Sequence, residues 1–140
     1  MKIAISSTGA TLDDEVDPRF GRCQYFIIVD PETMEADSLE NSNAMASGGA
    51  GISTAQMIVG KGVEVVLTGN CGPNAYQVLS AAGIQLITGA SGKIKDAIEK
   101  YKAGTFEISK GANVADHFGA GGGRGSGRGM GRGMGRGMGR

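Results

Sequence analysis

The chain predicts an α/β fold: a mixed five-stranded sheet with helices packed on it, in the order β-β-β-α-β-α-β-α. Two observations predict it. Residues 1–41 hold three short segments of strand-like apolar patterning with no helical spacing between them. Beyond residue 47, segments with apolar residues at i, i+3 and i+4 alternate with short runs rich in Val, Ile and Leu, as expected of strands joined by helical crossovers.

Taken in order, residues 2–7 alternate and read as a strand running from an edge into the core. Residues 24–29 are a denser apolar run, ended by Asp30-Pro31, and residues 34–41 are a polar alternation expected as an exposed third strand. Asp30-Pro31-Glu32-Thr33 reads as the hairpin connection between them. Residues 8–23 link the first two strands, and connections of that length are often functional.

Ile52, Ala55, Met57, Ile58 and Val59 mark a helix, opened by Ser47-Gly48-Gly49-Ala50-Gly51 and closed near Gly60 or Gly62. Residues 63–67 are a strand. Residues 74–82 are a helix with Ala75, Val78, Leu79 and Ala82 on one face, ended by Gly83. Residues 84–87 are a strand, and residues 93–103 a helix with Ile94, Ala97, Ile98 and Tyr101 inward. Phe106 and Ile108 suggest one more short strand. Three sequential strands form an antiparallel meander, and right-handed crossovers join the later ones. The later strands should be central or covered on both faces.

At 140 residues there is room for one folded domain, residues 1–118, and a tail, residues 119–140. Formal charge sums to zero but is unevenly spread. Residues 1–119 hold all fourteen Asp and Glu against nine Lys and Arg, whereas residues 120–140 hold five Arg and no acid. The tail is Gly, Arg and Met, with Met130, Met134 and Met138 every fourth residue, and is expected to be disordered. Its thioethers suit soft metals such as Cu(I). Its arginines suit an anionic partner, though the aromatics that add stacking to RNA binding are missing. Two cysteines make no disulfide framework, no secretory leader is visible, and no run reaches membrane-spanning length. The expectation is a cytoplasmic protein with free thiols.

The segment Thr68-Gly69-Asn70-Cys71-Gly72-Pro73-Asn74-Ala75 places Cys71 between the carboxyl end of a strand and the amino end of a helix that Pro73 can open. Unpaired N–H groups and the helix dipole there attract anions and favour thiolate over thiol. A thiolate is a soft ligand for Cu(I), Fe–S or Mo–S species. The competing reading is a small buried core residue. The lead-in Gly49-Ala50-Gly51 brings a second helix N-terminus beside that turn if the parallel strands align. Cys23 is either a packed strand-end residue or a second thiol of the site. Arg19 and Arg22 can contact an anion or pair with Asp13, Asp14, Glu15 and Asp17. His117 is the single histidine and a candidate metal ligand near the domain end.

Three stretches together resemble the dinitrogenase iron–molybdenum cofactor biosynthesis family, which includes NifX-like carriers and the carboxyl-terminal domain of NifB. They are Leu12-Asp13-Asp14-Glu15-Val16-Asp17-Pro18-Arg19-Phe20-Gly21-Arg22, Gly49-Ala50-Gly51-Ile52, and Thr68 to Ala75. The resemblance spans residues 1–118 and implies a ribonuclease-H-like fold and a protein that binds or carries a metal–sulfur cofactor or its precursor. It also implies metallocluster assembly or acceptor proteins as partners. Members of the family often have histidine just before Phe-Gly-Arg, and here that position is Arg19, which excludes imidazole ligation there. Asp116-His117-Phe118-Gly119 repeats the missing His-Phe-Gly pattern.

The expected role is therefore a carrier or scaffold without catalysis of its own. Its cofactor site is expected at Arg19, Cys23, Gly49, Ala50, Gly51, Gly69, Asn70, Cys71 and Gly72, with Cys71 and His117 as metal ligands. The alternative is an adaptor that binds a partner or nucleic acid through the Arg/Gly tail, although the acidic body argues against nucleic-acid binding by the domain itself. A phosphate-loop reading of Gly89-Ala90-Ser91-Gly92-Lys93 fails, because Ile87 and Ile94 stand where that motif needs Gly and Ser or Thr. A two-metal nuclease reading is weak, since the central strand segments offer only Glu64 as a carboxylate.

Overall fold

The computed structural model describes residues 1–45, 49–104 and 106. The elements are β1 (Ile3–Ser7), β2 (Tyr25–Val29), β3 (Ala36–Glu40), α1 (Ala50–Val59), β4 (Val65–Leu67), α2 (Pro73–Ala81), β5 (Gln85–Ile87) and α3 (Ile94–Lys102). The sheet order is β3-β2-β1-β4-β5. β1 pairs antiparallel with β2 and β2 with β3, whereas β1–β4 and β4–β5 are parallel. The meander and the crossovers thus share β1, which is central and buried along its whole length rather than running in from an edge.

Alternation along the strands divides the core into two layers. Ala4, Phe26, Val66 and Leu86 face one side with Ala55 and Ile58 of α1 and Ala75 and Leu79 of α2. Ile3, Ile5, Ile27, Val29, Val65, Leu67 and Ile87 face the other with Ile94, Ala97 and Ile98 of α3. Burying each large apolar side chain contributes about 1.5–3 kcal/mol. β5 is an edge strand, yet Leu86 and Ile87 are covered on opposite faces, which accounts for its apolar character.

Local chemistry sets the ends. Pro73 occupies the first turn of α2 behind Gly72, where a missing N–H costs nothing. Gly60 caps α1. In the β2–β3 turn the Met34 N–H donates to the Asp30 carbonyl at 2.7 Å and the Asp30 N–H to the Glu35 carbonyl at 3.0 Å. Met34 itself adopts φ 63°, a conformation non-glycine residues take only when a turn requires it.

Phe106 packs partly buried against the α3 side of the core, and the rest of the short strand expected at Phe106 and Ile108 falls outside the described residues. One expectation is corrected. Ala82, expected on the inward face of α2, is exposed and caps the helix, because the helical register ends at Ala81. The tail and His117 also lie outside the described residues. Among the described residues, no helix is long and apolar enough to cross a membrane.

The two-layer core makes a direct prediction for stability. Leu79, fully buried in the α1/α2 layer, should lose about 2–5 kcal/mol as Leu79→Ala. Ser38→Ala on exposed β3 should stay within about 0.5 kcal/mol, with both read from urea unfolding midpoints.

Candidate functional site

The link between β1 and β2 does not loop freely into solvent. At its first half the Ile94 and Lys95 N–H groups donate to the Asp14 and Leu12 carbonyls, at 2.8 and 3.0 Å, and the Val16 N–H to the Gly92 carbonyl at 2.8 Å. The exposed Lys95 ammonium also meets Asp13 at 3.1 Å. These bonds occupy the first-turn donors of α3, so the Gly89–Lys93 turn is committed to the link. That is a structural reason for the failed phosphate-loop pattern.

The second half crosses the carboxyl ends of β1 and β4. The Asp17 N–H donates to the Ser6 carbonyl at 2.9 Å. The buried Ser6 hydroxyl donates to the Asp17 carbonyl at 2.7 Å and bonds the Thr68 hydroxyl at 2.8 Å. The Phe20 N–H then donates to the Asn70 carbonyl at 3.2 Å, and the Asn70 side chain returns a bond to the Pro18 carbonyl at 3.1 Å. The fit leaves no room at Gly69, where an added Cβ would stand 2.7 Å from the Pro18 Cα. At Gly21 an added Cβ would stand 3.0 Å from the Cα and N of Gly51 in the first turn of α1. Gly51 in turn faces the Ala75 methyl in the first turn of α2, where its added Cβ would sit at 3.6 Å.

Arg19, Gly49, Ala50, Gly51, Gly69, Asn70, Cys71 and Gly72 therefore come from three segments that meet at one end of the sheet. The amino ends of α1 and α2 lie side by side there. The first-turn N–H groups of a helix have no intrahelical acceptor and carry its positive dipole end. Arg19 is half-buried over this end, with its Nε 3.2 Å and Nη2 3.3 Å from the two oxygens of Asp17. The Arg19 N–H also donates to Asp17 at 2.9 Å, so a nearly fully buried carboxylate fixes both backbone and side chain of Arg19. Of the two arginines, Arg19 pairs with an acid of the link, while Arg22 donates to the Ala44 carbonyl at 3.2 Å.

The two cysteines have different surroundings. Cys23 is fully buried in the α1/α2 layer, and its thiol contacts the Phe20 carbonyl at 3.4 Å. The packed strand-end reading describes its position. Cys71 is 2% exposed, at the rim of the same layer, with its sulfur 3.6 Å from the Gly72 carbonyl. Burial pushes the Cys71 thiol up to about 12. Burial, then the negative charge of Asp17, does the same for Cys23. The expected thiolate at Cys71 is thus corrected to a neutral thiol at neutral pH, because burial removes the hydration a thiolate needs.

The sequence reading missed the buried polar frame behind the site. The Asn41 amide donates to the Cys23 carbonyl at 2.8 Å and the Gly21 carbonyl at 3.3 Å. Thr54 of α1 donates to the Gly21 carbonyl at 3.2 Å and lies 3.3 Å from the Asn41 amide oxygen. Asn41 and Thr54, with Ser6, Ser7, Asp17 and Thr68, are the buried polar residues among those described, and for Ser6, Ser7, Asn41 and Thr68 a polar residue at a strand end was the available signal. Among the described residues, no group of three or more His, Cys, Asp or Glu side chains is arranged to hold a metal ion.

Two outcomes test this geometry. Gly69→Ala forces its methyl onto the Pro18 backbone and should destabilise the fold by about 1–3 kcal/mol in urea unfolding. The thiols give a pH dependence. Unfolded cysteine ionises near its model value of 9.0, but both folded thiols hold their protons to about 12. Over that window the unfolded state binds fewer protons, so stability should be unaffected by the thiols below about pH 9 and fall as pH rises from there towards about 12. Reduced protein carrying Cys23→Ala and Cys71→Ala should show a smaller alkaline loss than the parent chain.

The sequence profile described as dinitrogenase iron-molybdenum cofactor matches residues 1–104. The apo form of the orange protein from Desulfovibrio gigas superposes with a TM-score of 0.78 at 39% identity, over 81% of this chain and 96% of that one. A Thermotoga protein described as a candidate NifB superposes with a TM-score of 0.67 at 37% identity, over 76% of this chain and 91% of that one. An uncharacterized protein of Methanocaldococcus jannaschii is 29% identical over 111 residues, covering 76% of this chain and 94% of its own. With a family model matching residues 1–104, most of the chain, the chain belongs to the dinitrogenase iron-molybdenum cofactor family.

Proposed function

We propose that this protein is a non-catalytic carrier or scaffold that holds a metal–sulfur cofactor, or a precursor of one, for metallocluster assembly, and hands it to assembly or acceptor proteins. The observation that carries the reading is the meeting of the Pro18–Arg22 segment, the α1 amino end and the Cys71 turn at one end of the sheet. Family membership and the two similar structures support it. We read the fold, a meander on one side of β1 and parallel crossovers on the other, as ribonuclease-H-like, and the protein as cytoplasmic.

A sulfido-metal anion suits this end of the molecule in two respects. Helix amino ends and a fixed guanidinium stabilise negative charge. Cys71 is a soft donor at the rim, and Arg19 replaces imidazole with an ion-pairing group that forms no ordinary metal bond. A neutral buried thiol binds a soft metal only by releasing its proton, so binding is coupled to pH and stays exchangeable. A single soft protein donor among the described residues at this end is a holding arrangement, one from which cargo can leave. Cys23 enters only through its backbone, as the end of the crossing segment.

The test is an anaerobic titration of the reduced full-length protein with a thiomolybdate anion, with and without Cu(I), followed by visible absorbance and amide NMR. Saturable shifts are expected at residues 19–23, 49–52 and 70–75, with proton uptake by buffer and tighter loading at higher pH. Cys71→Ser should weaken loading by roughly tenfold or more, on the order of 1.4 kcal/mol. Unchanged loading in that variant would remove Cys71 from the site, and the absence of any saturable shift would remove the metal–sulfur cargo.

A further inference from the structure

The β2–β3 hairpin concentrates negative charge that the cargo site does not use. Asp30, Glu32, Glu35, Asp37 and Glu40 lie within eleven residues, and residues 23–60 contain no Lys or Arg. Four of the five are exposed, and Asp30 is half-buried. Among the described residues, none of these carboxylates is in an ion pair. Asp30, Glu35 and Asp37 line one groove with Ile28, Ala36 and a single cation, Lys2. β3 is also the edge of the sheet among the described residues, so no described strand lies beside one row of its backbone groups.

Register places this groove at the far end of the sheet from Cys71. Ala36 pairs with Val29, which pairs with Ile3 at the start of β1. The cargo end lies beyond Ile5 and Leu67, at Ser6 and Thr68. The chain leaves the described structure at that same far end. α3 begins against the Asp14 carbonyl and finishes with the Tyr101 hydroxyl 3.9 Å from the Met1 sulfur. Phe106 then packs against the core layer that Met34 of the hairpin turn also covers.

We propose that residues 119–140 dock in cis on the acidic β2–β3 hairpin. The tail carries Arg124, Arg128, Arg132, Arg136 and Arg140 and no acid, and faces four hairpin carboxylates at the far end, Asp30, Glu32, Glu35 and Asp37, while Glu40 pairs through Tyr25 with Ser7 towards the other end. Twelve residues separate Phe106 from Gly119, a chain length whose extended reach is at most about 40 Å, enough to reach the hairpin whose Met34 covers the same core layer as Phe106. Tethering holds the tail near the groove at about millimolar effective concentration. Glycine at alternate positions of the tail lets its backbone approach an edge strand, with arginines and methionines projecting to one side when it is extended. The contact is electrostatic and exchanging, because exposed ion pairs are individually weak and ordering a glycine-rich chain costs entropy. It is independent of the carrier reading, since it occupies the other end of the sheet.

The experiment compares amide NMR spectra of the full chain with those of the same chain carrying Arg→Gln at all five tail arginines, at about 20 mM and about 500 mM salt. At low salt the signals of residues 30–40 are expected to differ between the two chains, and at high salt to coincide. A second full-length variant, Glu35→Gln with Asp37→Asn on the exposed hairpin, should shrink the salt-dependent movement of the tail signals. Hairpin signals that coincide at low salt overturn the proposal, as does a difference centred on residues 19–23 and 70–72. Loss of the hairpin difference on about tenfold dilution assigns the contact to a second copy and overturns the cis form.

Discussion

Ser6 and Thr68 stand side by side at the carboxyl ends of two parallel strands, and their hydroxyls are buried on the α1/α2 side of the sheet. Parallel strands of this kind normally leave their ends open as a crevice. Here the hydroxyl pair and the Ser6 carbonyl hold the Asp17 backbone across that opening. Everything downstream in the link inherits its position from this bond set. Asp17 fixes Arg19, Pro18 presses on Gly69, and Gly21 rests on the first turn of α1. Two hydroxyls could not be replaced by methyl groups without stranding the Asp17 carbonyl, a buried acceptor whose loss of partner is costly.

The same closure explains the state of the thiols. An open crevice would hydrate Cys71 and let the helix end lower its pKa. With the link laid across it, the sulfur is nearly fully buried and the thiol is held neutral. Burial also protects it from the oxidation to which exposed thiolates are prone. A metal that displaces the proton recovers the soft ligand, so protection and reactivity are compatible in one residue.

Much of the architecture was legible because short strands with apolar patterning and helices with i, i+3, i+4 spacing obey local rules. The β2–β3 hairpin followed from its short Asp30–Glu35 connection, and the crossovers from the intervening helices. Pro73 and Gly60 marked real helix ends. What was not legible depends on residues far apart in sequence. Asn41 looked like the end of a polar strand, yet it bonds the Gly21 and Cys23 carbonyls. Ser6 and Thr68 are sixty-two residues apart and form one hydroxyl pair. The neutral Cys71 thiol has the same cause: the helix end is a local feature, whereas its burial belongs to a core layer drawn from distant parts of the chain, Phe20 among them.

The sheet also separates two kinds of chemistry by direction. Helices α1 and α2 present their positive dipole ends beside Arg19 and Cys71. The hairpin turn at the start of β1 carries Asp30, Glu32, Glu35 and Asp37 and no cation of its own. An anion approaching the hairpin turn is therefore repelled, whereas the helix amino ends at the opposite end favour one. A right-handed parallel crossover forces every helix amino end to the carboxyl end of the strands. Negative charge in the body is then least disruptive at the opposite end, where it does not compete with an anionic cargo. The acidic hairpin turn is in this sense electrostatically compatible with the cargo end, and the docking proposed for the basic tail would neutralise charge where no cargo is displaced.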